Sequence, residues 1–237
     1  MIVCLDSGNS RIKWGVHDGN AWLAQGAVRQ DEPEQLAQLV IDWQMPQRIM
    51  LANVAGDEAM GRIRQYLAPW QSVLYEVRST AEAGGVRNRY RVPERLGVDR
   101  WCALVGARAL FRSPAVVVMA GTATTIDTLE ADGSFPGGRI LPGVGLMLRS
   151  LAKGTAGLPF ADGEYAASPR CTEDAIVTGV LDAQAGAIER AFASLEGRGI
   201  CLLSGGYADK ISACLTIPHR RIDNLPLEGL CRIGCTA

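Results

Sequence analysis

Four short stretches hold the residues best able to do chemistry. "DSGNS" (residues 6–10) follows an apolar run, Met1 to Leu5, and sets a carboxylate, Asp6, at the entrance to a small-residue turn. "AGTATT" (120–125) repeats that arrangement after a second apolar run, and "SGG" (204–206) ends a third. Small residues let the backbone turn tightly at a strand end, so that N–H groups and hydroxyls converge on an anion. Lys13 adds positive charge to the first turn. A helix opening after "SGG" offers a further place for a phosphate or a base. The fourth stretch, "LGVDRW" (96–101), puts Asp99 beside Arg100 at a helix start. Such an acid can take the proton of a substrate hydroxyl while the guanidinium holds the substrate's own anion.

Each stretch also has a plainer reading. Strand-end turns carry Gly and Ser for steric reasons alone. Asp99 would serve as a helix N-cap beside a solvated arginine, and Asp127 as a turn acid. Neither G-x-x-x-x-G-K-[ST] nor G-x-G-x-x-G occurs, so a phosphate grip would need several turns acting together. Asp6 is placed to hold Mg²⁺ through water, because magnesium keeps much of its hydration shell and takes few carboxylates.

The elements that must position these groups follow from hydrophobic periodicity. "IVCLDSGNSRIKWGVHDGNAWLAQGAV" reads as three strands, with a tight hairpin at "HDGN". "DEPEQLAQLVIDWQ" opens a helix, with Asp31 as its expected N-cap and Pro33 in its first turn. Strand, helix and strand follow through "SVLYEVRS". Residues 80–95, polar and basic, read as an excursion, and "LGVDRWCALVGARALF" as a helix. From residue 113 the order restarts with strand, Gly-Thr turn, strand, hairpin at "ADGS" and strand. Helices follow at "GLMLRSLAKGTA" and "TEDAIVTGVLDAQAGAIERAFASL", then strand, glycine turn and helix in "GICLLSGGYADKISACL". The recurrence predicts two α/β halves, residues 1–112 and 113–237, with a cleft between them.

Composition narrows the class. The 237 residues are 48% hydrophobic and 21% charged, with 24 basic and 25 acidic residues and a net charge of -1. That is globular and lacks the clustered basic field of a nucleic-acid or membrane-surface protein. No helix-turn-helix with a basic recognition helix is evident. The seven cysteines, residues 4, 102, 171, 201, 214, 231 and 235, show neither a C-x-x-C pair nor a zinc spacing and read as free thiols in a reducing cytoplasm. Asp6 interrupts the first apolar run, which argues against a secretory signal, and no uncharged stretch is long enough to span a bilayer.

Taken in order and spacing, "DSGNSRIK", "LGVDR", "AGTATTID" and "GGRILPG" resemble the type III pantothenate kinases, a family that includes the Bvg accessory factor proteins, and the resemblance covers nearly the whole chain. It implies an α/β fold of duplicated actin, sugar-kinase and Hsp70-like (ribonuclease H-like) halves. It implies ATP-dependent phosphorylation of pantothenate, the first step of coenzyme A synthesis, with Mg²⁺ and, usually in the family, K⁺ or NH₄⁺. The resemblance makes Asp6, Ser7, Gly8, Asn9, Ser10, Arg11, Ile12 and Lys13 the first phosphate loop, with Asp6 near Mg²⁺, and Thr122 an ATP contact in the second. Asp99 becomes the general base. Tyr90, Gly97, Val98 and Arg100 line the pantothenate site, with Arg100 suited to its carboxylate. Thr172 closes that site from the partner subunit of a homodimer. One departure stands out: where many members carry an acid that holds the monovalent cation, this chain has Met119, and a thioether is a poor ligand for a hard cation. Two alternatives stay open, a related kinase for another hydroxylated acceptor and a nucleotide-binding regulator of the same fold.

Overall fold

The computed structural model describes residues 1–160 and 162–236. Strands β1 (Ile2–Ser7), β2 (Arg11–His17) and β3 (Trp22–Arg29) are followed by α1 (Ala37–Asp42), β4 (Arg48–Asn53), α2 (Asp57–Tyr66) and β5 (Leu74–Glu76). Two short strands, β6 (Glu82–Ala83) and β7 (Val86–Asn88), precede α3 (Val98–Leu110). The chain continues as β8 (Ala115–Ala120), β9 (Ala123–Leu129), β10 (Ser134–Phe135), β11 (Gly137–Pro142), α4 (Val144–Gly154) and α5 (Thr172–Ala193). It then adds β12 (Ile200–Ser204), α6 (Ala208–Ser212), β13 (His219–Arg221) and α7 (Leu225–Thr236). Among the described residues no helix is long and apolar enough to cross a membrane.

Two five-stranded sheets share one topology. The first has the order β3-β2-β1-β4-β5 and the second β11-β9-β8-β12-β13. In each, the first three strands in sequence pair antiparallel and the last two are parallel additions. The duplication expected from the order of elements is therefore present strand by strand.

The chain divides into two compact units. The first comprises Met1–Arg112, Gly133–Pro136 and the residues from Asn224 on; the second comprises Ser113–Asp132 and Gly137–Asp223. Two stretches beyond residue 112 thus belong with the first unit, for separate reasons. Residues 133–136 hold β10, which pairs in parallel with β7, Ser134 opposite Arg87 and Phe135 opposite Asn88. The polar segment 80–95 is accordingly not a bare excursion, because β6, β7 and β10 make a small sheet. Helix α7 carries Leu227, Leu230 and Cys231 on one face, and these pack with Ile2, Cys4, Met50 and Cys102. Glycines allow that approach: a Cβ on Gly229 would lie 1.8 Å from the Cys102 carbonyl oxygen, and one on Gly106 2.4 Å from that of Leu225.

Strand parity then sorts β1. Val3 and Leu5 point into the core that holds Ile49, Leu51, Ile63 and Trp70. Ile2 and Cys4 point to the opposite face, toward α3 and α7, and period-2 alternation sends Asp6 the same way. Asp31 is a correction to the capping expectation. Its carboxylate accepts from Arg29 Nε at 2.8 Å and Nη2 at 2.6 Å, and the turn that follows begins without a side-chain cap.

Candidate active site

In the first unit Lys13 and Asp99 each lie within electrostatic reach of Asp6. Asp6 and Lys13 are direct partners across the β1–β2 pair. Asp99 lies in the first turn of α3, where a carboxylate is favoured by the exposed N–H groups of the helix end. Its Oδ1 accepts the Arg100 backbone N–H at 2.8 Å. Burial pushes the Asp6 pKa up to about 6; the Lys13 ammonium opposes that rise and the Asp99 carboxylate adds to it. Cys102, one turn along α3, is held well above the usual thiol range by burial and then by the same two carboxylates.

Between β1 and β2 the chain reverses in three residues. The Gly8 N–H donates to the Arg11 carbonyl at 3.1 Å. Gln30, just beyond β3, braces the turn from outside, its Nε2 donating to Ser7 Oγ at 2.8 Å and to the Gly8 carbonyl at 2.9 Å. Ser7 and Ile12 are buried, whereas Asn9, Ser10 and Arg11 stand exposed. Nothing in the sequence marked Gln30; its role arises only when β3 closes on β2.

A second group surrounds Tyr90. Arg100, 4% exposed, donates from Nη1 to Tyr90 Oη at 3.0 Å, and its Cζ lies 5.8 Å from the ring centre. The other partner of that ring is Phe135 of β10, stacked at 5.5 Å with 25° between planes. Asn88 fixes the loop. Its Nδ2 donates to the Thr80 and Pro93 carbonyls at 3.2 and 3.1 Å, and its Oδ1 accepts the Tyr90 N–H at 3.1 Å. Gly97, the residue before α3, has no room for a side chain, since a Cβ there would sit 2.8 Å from Asp99 Oδ1. Val98 opens the helix. Asn88 and Phe135 escaped sequence reading because each lies among polar turn residues whose partners come from other segments.

In the second unit, Gly121 and Thr122 join β8 to β9, and Thr122 is exposed. The neighbouring backbones crowd this turn: a Cβ on Gly143 would lie 2.2 Å from the Gly121 oxygen, and one on Gly205 2.5 Å from the Ala120 oxygen. Counting along the matched strands, the fifth residue of β1 is Asp6 and the fifth of β8 is Met119. Met119 stands between Thr125 of β9 and Ser204 of β12, whose buried hydroxyl oxygens have no hydrogen-bond partner among the described residues. Thr172 is the exposed first residue of α5.

A family profile for type III pantothenate kinases matches residues 2–194. The chain belongs to that family. The type III pantothenate kinase of Dechloromonas aromatica is 68% identical over 231 residues, 97% of each chain. Two solved structures share the fold: a candidate Baf family transcriptional activator from Campylobacter jejuni, 21% identical with a TM-score of 0.67 over 99% of this chain and 98% of that one, and a candidate 2-dehydro-3-deoxygalactonokinase from Sinorhizobium meliloti, 13% identical with a TM-score of 0.59 over 97% of each. The α/β architecture with its duplicated sheets is that of the actin-like sugar kinases.

Proposed function

We propose that this chain transfers the γ-phosphoryl group of ATP to the primary hydroxyl of pantothenate, giving 4'-phosphopantothenate for coenzyme A synthesis, with Asp99 as the general base. Family membership supports the reaction. The observation that carries the site assignment is the approach of both Lys13 and Asp99 to Asp6 within one unit. Phosphoryl transfer depends chiefly on positioning and charge neutralisation, with a carboxylate orienting the nucleophile. Asp99 is half-buried at a helix start and accepts the hydroxyl proton at its free carboxylate oxygen. The absence of a side chain at Gly97 spares Asp99 Oδ1 a close contact, and Arg100 donates to the Tyr90 hydroxyl.

The turn Asp6–Lys13 and the turn at Thr122 supply N–H groups and hydroxyls for the nucleotide phosphates. Asp6 fits a magnesium role: a buried carboxyl with a raised pKa beside a second carboxylate is relieved by a divalent cation, and one carboxylate is enough for a metal that keeps its water. Bound there, Mg²⁺ would neutralise phosphate charge. Met119 brings no anionic oxygen for a hard cation and has the neutral hydroxyls of Thr125 and Ser204 as strand neighbours, which supports a weak K⁺ or NH₄⁺ dependence.

A homodimer suits the second unit. A cavity of about 550 Å³ between α4 and α5 is lined by Met147, Leu151, Leu158, Ile176 and Val180, with Thr172 at its edge, an apolar face that a second copy would cover. The buried thiols Cys4, Cys102, Cys201 and Cys231 and the use of ATP fit the cytoplasm. The experiment is a coupled ADP-release assay on wild type and Asp99→Asn. Turnover in the variant should fall by about 10²–10⁴-fold, the usual worth of a positioned base, with an unchanged melting temperature. Full turnover in the variant refutes the base assignment.

A further inference from the structure

Gln30 bonds to the first phosphate loop at three of its residues. Its backbone N–H donates to the Ser10 carbonyl at 3.1 Å. Its Nε2 donates to Ser7 Oγ at 2.8 Å and to the Gly8 carbonyl at 2.9 Å. The β2–β3 ladder closes with Arg11 opposite Arg29, so Gln30 is the first residue past β3 and meets the β1–β2 turn. Period-2 alternation along β1 puts the Ser7 side chain on the face opposite Asp6. The amide therefore grips the loop from the side away from the Asp6 carboxylate.

This grip needs an amide at this reach. The Gly8 oxygen can only accept, so Nε2 must face it, and both amide hydrogens are then used. Gln30 Oε1 is left buried with no partner among the described residues. A buried acceptor without a partner costs stability and calls for a reason other than packing. The residues flanking Gln30 are tied to one another: Arg29 Nε and Nη2 donate to the Asp31 carboxylate, and the Glu32 N–H donates to the Arg29 carbonyl at 3.2 Å. The loop has less of its own to hold it. Asn9, Ser10 and Arg11 are exposed, and inside the turn the Gly8 N–H reaches the Arg11 carbonyl. Ordering such a segment costs free energy, and a ligand that must order it on arrival binds more weakly for that reason.

We propose that Gln30 is a positioning residue for nucleotide binding: it orders residues 7–10 before ATP arrives, so that ATP meets a phosphate loop already in its receiving conformation. The proposal rests on the reading of residues 6–13 as the first phosphate loop. Gln30 acts through Ser7, Gly8 and Ser10 and touches no substrate itself.

The test uses Gln30→Met, which keeps the length of the side chain without its donors, and Gln30→Ala, which removes it. MgATP binding is measured by calorimetry without pantothenate, and both KM values by the ADP-release assay. Losing the two side-chain bonds should raise the Kd and KM for ATP about 10-fold or more. The KM for pantothenate should stay as in wild type. Turnover should recover at saturating ATP, because the nucleotide then supplies the ordering. Amide hydrogen exchange should quicken at Gly8 and stay slow at Val3 and Leu5. Should Gln30→Ala fail to fold, Gln30→Met carries the comparison. An unchanged ATP affinity in Gln30→Met overturns the proposal, and so does an equal loss in both KM values, which would mark a general loosening of the fold. A wild type that binds MgATP yet leaves pantothenate unphosphorylated overturns the functional reading, while Gln30 is still judged on ATP affinity. A wild type that binds no nucleotide overturns both.

Discussion

Replacing Asp6 with Asn should make the protein more stable and less useful. The Asp6 carboxyl is 8% exposed and its pKa stands at about 6 against an ordinary value of 3.8. The gap is roughly two units, or about 3 kcal/mol at ~1.36 kcal/mol per unit. The folded protein holds the proton more tightly than the unfolded chain does, so this group favours folding below pH ~4, and that contribution is lost as pH rises through about 6. Asn has nearly the shape of the neutral acid and no such pH dependence. Urea unfolding of metal-free wild type and Asp6→Asn should therefore diverge between pH 4 and 8, the variant gaining about 2–3 kcal/mol over wild type across that range. Magnesium-dependent ATP binding should be lost in the same variant. A stability difference that is flat with pH, or one that shrinks as pH rises, refutes the burial argument for Asp6.

Two further predictions concern other parts of the chain. Gly229→Ala drives a methyl against the Cys102 carbonyl and should cost about 3 kcal/mol, the upper end of overpacking penalties; a melting temperature equal to wild type would show that α7 yields without strain. Exchanging K⁺ for Na⁺ should change turnover by less than about 3-fold, because Met119 supplies no anionic oxygen for a hard cation, and absence of turnover in sodium buffer would count against this.

Local signals carried much of the fold. The apolar runs, the hairpin dipeptides and the restart after residue 113 predicted both sheets, because strand alternation and turn chemistry are written in neighbouring residues. The positions of Asp6 and Asp99 were equally legible, one ending a strand and one opening a helix. Pairings between distant segments were not. Asn88, Gln30 and Phe135 become meaningful only through β7–β10 pairing and the closure of β3 on β2. The same is true of α7, a closing segment with no element read from the sequence, which becomes meaningful only through its packing with Ile2, Cys4, Met50 and Cys102. Asp31 shows the opposite error, a good local cap that a neighbouring guanidinium outcompeted.

The return of α7 to the first unit imposes an order on synthesis. A ribosome delivers β1, β4 and α3 early, yet the surface formed by Ile2, Cys4, Met50 and Cys102 has no cover until Leu227, Leu230 and Cys231 emerge. The second sheet, complete once β13 has been made, can settle first. A nascent chain therefore keeps that apolar face uncovered until α7 has been made.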